Sequence, residues 1–89
     1  MEKEGVISRA LSAASRRQIL RLLAEKEMTV KDIAAQTNMS VSLASRHLTF
    51  LTDLGLLNFR IKRPFKYYSL KMKEIKELLL LHDKVAGKL

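Results

Sequence analysis

The sequence predicts a mainly α-helical chain with one small β-hairpin, in the order α-α-α-α-β-β-α. Apolar residues recur at spacings of three and four before Gly55 and again from Met72, which is typical of helices that bury one face. Between Gly55 and Leu70, apolar and polar residues alternate, which is typical of half-buried strands. A length of 89 residues, 47% of them hydrophobic, predicts a single packed domain over residues 1–89.

The first three predicted helices are short. The first covers about Val6 to Ala13, and the second follows Ser15, whose hydroxyl is expected to cap it, and ends near Lys26. Thr29 and Asp32 have the spacing of a capping box, in which two side chains satisfy exposed backbone N–H groups of a first helical turn. They therefore predict the start of the third helix.

The fourth predicted helix has two different faces. It is expected to begin at Val41 after the cap Ser40, and to end where Gly55 can adopt a left-handed conformation. The face expected to be buried consists of Ala44, Leu48 and Leu51. The opposite face carries Ser42, Ser45, Arg46, Thr49 and Asp53. Short or forked donors of this kind suit contact with phosphates and base edges, so this helix is expected to enter a groove of a nucleic acid.

A hairpin is predicted after Gly55. The first strand is indicated by the alternation of Leu57, Phe59 and Ile61 with polar residues, the turn is residues 63–66, and the return strand is residues 67–70. Pro64 is expected at the tip because it has no N–H for a strand ladder. For the aromatic residues, core packing is expected of Phe59 and Tyr68, whereas Phe65 and Tyr67 are left open between packing and stacking on bases.

The last predicted helix runs from Met72 to the end of the chain and carries an apolar stripe. Together with the first helix it is expected to form a dimer seam, over about residues 5–14 and 72–89. The expected interface residues are Val6, Ile7, Ala10, Leu11, Ile75, Leu78, Leu79, His82, Val85 and Leu89. A membrane-surface helix was the alternative for this stripe, but its acids and lysines favour a seam.

Charge and composition limit the function. The formal net charge is +8, and residues 40–73 hold seven basic side chains against one acid, Asp53, which is typical of a polyanion binder. Without cysteine, disulfides, thiolate metal sites and a cysteine nucleophile are excluded. His47 and His82 lie in different elements, so no enzyme, cofactor or metal site is expected. Residues 1–4 do not resemble a signal peptide, and the apolar run of residues 78–81 is far too short to span a membrane, so a cytoplasmic, nucleoid-associated protein is expected.

The candidate DNA contacts lie on the fourth helix, on the hairpin and at two helix starts. They are Ser40, Ser42, Ser45, Arg46, His47, Thr49, Arg60, Lys62, Arg63, Lys66, Lys31 and Arg16. Arg46 is the foremost of them, because a guanidinium can bind guanine or a phosphate through two hydrogen bonds. The hairpin charges could instead be edge-strand charges that discourage aggregation.

Four further residues have open alternatives. His47 is expected either to contact a phosphate or to be a packed or capping imidazole. Arg16 could pair with a carboxylate instead of DNA, and Lys31 could simply be a solvated residue of the third helix. His82 could suggest a metal or pH-sensing role, but an interface residue is the favoured interpretation.

A three-helix core followed by a basic hairpin is the pattern of a winged helix-turn-helix domain, and the chain resembles the ArsR family of small dimeric transcriptional repressors. The resemblance is carried by five phrases, at residues 15–20, 29–34, 40–48, 54–57 and 67–70, which read SRRQIL, TVKDIA, SVSLASRHL, LGLL and YYSL. It implies a homodimer through the first and last helices, with the residue 41–54 helix in the major groove and the residue 60–66 wing on the flanking backbone.

Two departures from that family concern metal sensing. The paired cysteines of metal-sensing members align with Thr29 and Lys31, and the last helix lacks the required spacing of Asp and His. The expectation is therefore a homodimeric, sequence-specific regulator of double-stranded DNA, acting as a repressor, without a sensed metal and with no effector identified. The alternatives are a nonspecific or architectural nucleic-acid binder and a winged-helix protein–protein interaction module.

Overall fold

A computed structural model describes residues 3–88, and its side chains from residue 5 onward. Within that range the order of elements is the predicted one. The elements are α1 (Lys3–Leu11), α2 (Ala14–Glu25), α3 (Val30–Thr37), α4 (Val41–Asp53), β1 (Leu57–Lys62), β2 (Phe65–Leu70) and α5 (Glu74–Ala86). The final residue, Leu89, lies outside the described residues, and so does its predicted place in the dimer seam.

Side-chain caps start α3 and α4 as predicted. The Ser40 hydroxyl accepts the N–H of Leu43 at 3.0 Å, and the Thr29 hydroxyl accepts the N–H of Asp32 at 3.2 Å. The reciprocal bond of a full capping box is not among the hydrogen bonds of the described residues. Gly55 has a φ of +84°, so the predicted left-handed residue after α4 is confirmed. These caps fix where α4, the helix with the polar face, begins and ends.

The predicted cap of α2 is wrong. Ala13 precedes the helix and makes no side-chain cap, and Ser15 lies inside the first turn, where its hydroxyl is 3.1 Å from Nε2 of His47. Arginines close the corner between α1 and α2 instead: Arg17 donates to the carbonyl oxygen of Leu11. The first helix accordingly ends at Leu11 rather than Ala13.

A single apolar cluster holds the elements together. The largest fully buried side chains are Ile19, Leu20, Ile33, Leu48 and Leu51. Helix α2 lies at the centre and packs against α1, α3, β2 and α5. Because the buried side of α4 belongs to this cluster, its polar side is held toward solvent.

The hairpin extends beyond that core. Leu57 at its base is buried, whereas Phe59 is 47% and Ile61 62% exposed, so the prediction of core packing for Phe59 is wrong. Tyr68 is buried as predicted, and its backbone exchanges two hydrogen bonds with Met28, at 3.0 and 2.8 Å. The alternation of β1 predicted a half-buried strand, but only Leu57 of this strand is buried, because the helical core covers only the base of the hairpin.

The turn of the hairpin is shorter than predicted. Lys62 pairs with Phe65, so residues 65 and 66 belong to β2 and only Arg63 and Pro64 form the tip. Pro64 is at the tip, as expected. The longer strands bring Lys66 into β2, which fixes the side of the hairpin on which it lies.

Candidate nucleic-acid interface

The polar face of α4 is fully available to solvent. Ser42, Ser45, Arg46 and Thr49 are all exposed, and we call these four residues the recognition face. On the opposite side Ala44, Leu48 and Leu51 are 0% exposed. Three buried anchors over two helical turns prevent rotation of the helix, so the direction of the recognition face is set by packing.

A groove joins the recognition face to the hairpin. It has a volume of about 520 Å³ and is lined by Thr29, Val30, Lys31, Ser45, Pro64, Phe65, Lys66 and Tyr68. It thus brings together Lys31 from α3, Ser45 from α4 and Lys66 from β2. These three were predicted as DNA contacts on separate grounds, and they border one concavity. Lys31 and Lys66 give it positive charge.

The basic residues of the hairpin lie on both of its faces. Lys66 is on the groove side, where its Nζ is 4.0 Å from the ring centroid of Phe59 and 5.0 Å from that of Tyr68. A cation over aromatic faces is held in place without losing its charge. Arg60 and Lys62 lie on the other face of the hairpin, where their cross-strand partners are Tyr67 and Phe65.

Arg60 is engaged within the protein. Its Nε and Nη2 donate to the two carboxylate oxygens of Glu27, at 2.8 and 2.5 Å, and its guanidinium lies 4.7 Å from the ring centroid of Tyr67. The hydrogen bonds from Arg60 lower the pKa of Glu27, so the carboxylate remains charged opposite the arginine. This pair connects the hairpin to the segment before α3. The proposed contact of Arg60 with DNA would have to compete with Glu27.

Other basic residues of the interface lie outside the ion pairs of the described residues. Within residues 3–88, no ion pair is described for Arg46, Lys62, Arg63, Lys66 or Lys31. All five are exposed. They therefore supply the positive potential of the recognition face and hairpin, in contrast to Arg60.

His47 lies at the edge of the recognition face, on the side away from the hairpin groove. It is half-buried, and its Nε2 lies 3.1 Å from the hydroxyl of Ser15, which links α4 to α2. Burial, followed by the positive charges of Arg16 and Arg46, lowers the pKa of His47. The packed imidazole is thus what the free protein contains, and contact with a phosphate remains a prediction.

The intramolecular partner expected for Arg16 is a carboxylate, but the structure shows a backbone carbonyl group instead. Its Nε and Nη2 donate to the carbonyl oxygen of Arg9 at 3.0 and 2.6 Å, and Nη2 also donates to the hydroxyl of Ser12. The guanidinium lies 4.8 Å from the ring centroid of Phe50. Arg16 therefore closes the end of α1, and within residues 5–88 it forms no ion pair with a carboxylate. Its contact with DNA stays a prediction.

The sequence did not reveal three partners of these basic residues. Glu27 is 33 residues from Arg60, and Phe50 lies on a different helix from Arg16, so neither contact has a local signal in the sequence. Ser15 is expected only as a cap of α2 and is instead the partner of His47.

A second, apolar surface lies on α1 and α5. Leu81 and Val85 are 57% and 51% exposed, and they border a concavity with Leu11, Leu78, His82 and Ala86. A neighbouring concavity includes Val6 and Ile7. Three predicted seam residues, Ala10, Ile75 and Leu79, are at most 5% exposed because they pack in the protomer's own core. They offer almost no surface to a partner, so we exclude them from the proposed seam.

His82 lies within the apolar surface, as its place in the stripe indicated. Its Nδ1 is 3.7 Å from the carboxylate of Asp83 and has no hydrogen-bond partner among the described residues. Across residues 3–88, no three His, Cys, Asp or Glu side chains gather in a way that could hold a metal ion. Nor does this part of the chain contain a helix with the length and apolar character needed to cross a membrane.

Comparison with known proteins identifies the family. The family model described as bacterial regulatory protein, arsR family, matches residues 14–58, which run from the start of α2 into β1. The transcriptional activator HlyU of Vibrio cholerae is 33% identical over 81 residues, which cover 90% of this chain and 75% of HlyU. The transcriptional repressor SdpR of Bacillus subtilis is 39% identical over 64 residues, 72% of this chain and 71% of SdpR.

Solved structures share the fold over nearly the whole chain. One is the homodimeric winged helix-turn-helix DNA-binding domain of a Mycobacterium bovis protein, with a TM-score of 0.85 and 33% identity. It covers 96% of this chain, and the match extends over 79% of that domain. The similarity therefore includes α1 and α5, which lie outside the residues matched by the family model.

Proposed function

This chain belongs to the ArsR family of bacterial regulatory proteins, and from that premise we propose that it binds double-stranded DNA as a homodimer and regulates transcription. The observation that carries the proposal is the groove that joins the recognition face to the hairpin. A protein–protein scaffold has no need of three cationic or donor side chains from three elements around one concavity. A regulator that contacts bases and phosphates together needs such an arrangement of side chains.

In the proposed complex the recognition face of α4 enters the major groove, and the hairpin, residues 60–66, lies along the backbone. Two copies hold their α4 helices about one duplex turn apart, ~34–36 Å, over an inverted repeat. Arg46, Ser42 and Ser45 contact base edges, which gives specificity. Lys31, Lys66 and Arg63 contact phosphates, which gives most of the affinity and its dependence on salt.

Regulation itself has two precedents among the relatives, since HlyU is described as an activator and SdpR as a repressor. We propose repression, in which the bound dimer excludes the transcription machinery from its site. The protein is then a cytoplasmic, nucleoid-associated regulator and not an enzyme. In this proposal residues 1–89 belong to a single winged helix-turn-helix DNA-binding domain.

A competition experiment tests sequence-specific binding. A labelled duplex selected from a random pool is bound by the protein, and unlabelled selected or bulk DNA is added at several salt concentrations. The expected result is that selected DNA competes far better than bulk DNA, with a steep loss of affinity as salt rises. Equal competition would show a nonspecific or architectural binder. No binding to any duplex would favour the protein–protein interaction module.

The dimer surface can be tested with two neighbouring leucines. Leu81 borders the apolar surface of α1 and α5, whereas Leu80, 61% exposed, borders a different concavity with Arg21 and Lys76. Leu81→Glu would bury a carboxylate in the proposed seam, so we expect this variant to be monomeric by light scattering. Leu80→Glu is the matched control and should remain dimeric. A dimeric Leu81→Glu variant, or a monomeric wild-type protein, would contradict the proposed seam.

A further inference from the structure

The corner between α2 and α4 contains an imidazole among fixed positive charges. His47 lies on α4 beside Arg46, and across from it α2 contributes Ser15 and Arg16. The element beyond, α1, contributes Arg9, whose guanidinium is 5.3 Å from the ring centroid of Phe50, three residues after His47. Within the described residues, the charged side chains that act on His47 are Arg16 and Arg46, both of them cationic. Two cations beside an imidazole give this corner the electrostatics of an anion site.

The hydrogen bond to Ser15 is compatible with both charge states of His47. A neutral Nε2 can accept the hydroxyl proton of Ser15, and a protonated Nε2–H can donate to the same oxygen after the hydroxyl rotates. Protonation therefore changes the charge at this corner without breaking the contact that positions α4 against α2. Within residues 5–88 the His47 ring is hydrogen-bonded through Nε2 only, so Nδ1 is available to donate to a ligand.

We propose that His47, together with the neighbouring Arg16, is a proton-linked ligand for a backbone phosphate of the bound DNA. This rests on the proposed function and adds a regulation of the same site. In the free protein, burial and then the charges of the two arginines disfavour a positive charge on the imidazole. A bound phosphate supplies the missing negative charge, which favours the imidazolium, so each protomer takes up a proton when it binds DNA. Arg16 can contribute through Nη1, since Nε and Nη2 are engaged at the end of α1.

The direction in which DNA affinity changes with pH follows from the pKa of His47 in the free protein and in the DNA complex. The pKa of His47 lies below its ordinary value in the free protein and is raised by the phosphate in the complex. Affinity is therefore full below the free-state pKa and declines as the pH rises toward the pKa of the complex. The decline can reach about tenfold per pH unit for each histidine that titrates.

The experiment measures affinity for the selected duplex by fluorescence anisotropy at constant ionic strength between about pH 5 and pH 8, where histidine is the side chain that ordinarily titrates. The chain has two histidines, which gives a matched pair of variants. Wild-type protein should lose affinity as the pH rises. His47→Gln, which keeps a polar group near Ser15, should bind with little pH dependence, and His82→Gln should keep the wild-type slope whatever its affinity at any one pH.

A direct titration of His47 tests the proton linkage even if the His47→Gln variant does not fold. The pKa of the His47 ring is followed by NMR in wild-type protein, free and bound to the selected duplex. A higher pKa in the complex supports the proposal. An equal or lower pKa, or a pH slope that persists in His47→Gln, overturns it. Specific binding without a pH slope would refute only the proton linkage, whereas absence of preference for the selected duplex would refute the proposed function.

Discussion

Replacing Leu48 by alanine is expected to reduce the free energy of unfolding by about 2–5 kcal/mol. Leu48 is 0% exposed, between the equally buried Ala44 and Leu51 on the inner side of α4. The change removes apolar contacts and leaves a cavity that the surrounding helices fill only in part. The measurement is urea denaturation at fixed protein concentration, because dimer formation would otherwise alter the apparent stability.

The matched control is Leu80→Ala, also on a helix but 61% exposed. Its effect is expected to stay within about 0.5 kcal/mol, as is usual for surface positions. If both variants lost the same small amount of stability, Leu48 could not anchor α4 in the core. The fixed direction of the recognition face, on which the DNA contacts depend, would then have no structural basis.

Replacing Arg46 by alanine is expected to weaken binding to the selected duplex by about 1–3 kcal/mol, or roughly 5- to 150-fold, if the guanidinium contacts a base. Arg46 is exposed on the recognition face and has no ion pair among residues 3–88, so its loss should leave the fold nearly unchanged. Discrimination against bulk DNA should fall as well. The measurement is anisotropy with both kinds of competitor.

Arg21→Ala is the matched control for charge. It also removes one positive charge, but Arg21 lies between α2 and α5, where it binds Asp83 through two hydrogen bonds. If net charge alone attracted DNA, the two variants would lose the same affinity. We expect a much larger loss for Arg46→Ala. An equal loss, with unchanged discrimination, would show that Arg46 does not read the sequence.

Much of the fold was predictable because the signals are local. The spacing of Ala44, Leu48 and Leu51 shows the buried side of α4, and the φ of Gly55 follows from its place at the helix end. The change of period after Gly55 likewise predicts the hairpin. Each inference needs only residues a few positions apart, which is the range over which periodicity and capping operate.

The remaining features depend on long-range contacts. Ser15 has the chemistry of a cap, but its hydroxyl bonds His47, 32 residues away. The sequence predicts that Arg60 is a DNA-contacting cation of the wing, yet its side chain forms an ion pair with Glu27. Phe59 has the alternation of a buried strand residue, but it is 47% exposed, because the helical core reaches only the base of the hairpin. In each case the partner, or its absence, is decided by tertiary packing.

The helix face of the candidate site could be predicted from local spacing, but the groove beside it could not. Residue type and helical spacing placed Ser42, Ser45 and Arg46 on one exposed face. The groove that connects this face to Lys31 and Lys66 could not be predicted, because it depends on the position of the hairpin against α3. Pairing of Tyr68 with Met28 fixes that position, and neither residue carries a local signal for it.

Selection of bound sequences from a random duplex pool, with the number of protein chains per duplex measured on the winning sequence, tests the central proposal most directly. We expect an inverted repeat whose half-sites are about one helical turn apart, occupied by two chains. Enrichment of no sequence, or of a single half-site bound by one chain, would contradict a homodimer that reads DNA through α4 and the hairpin.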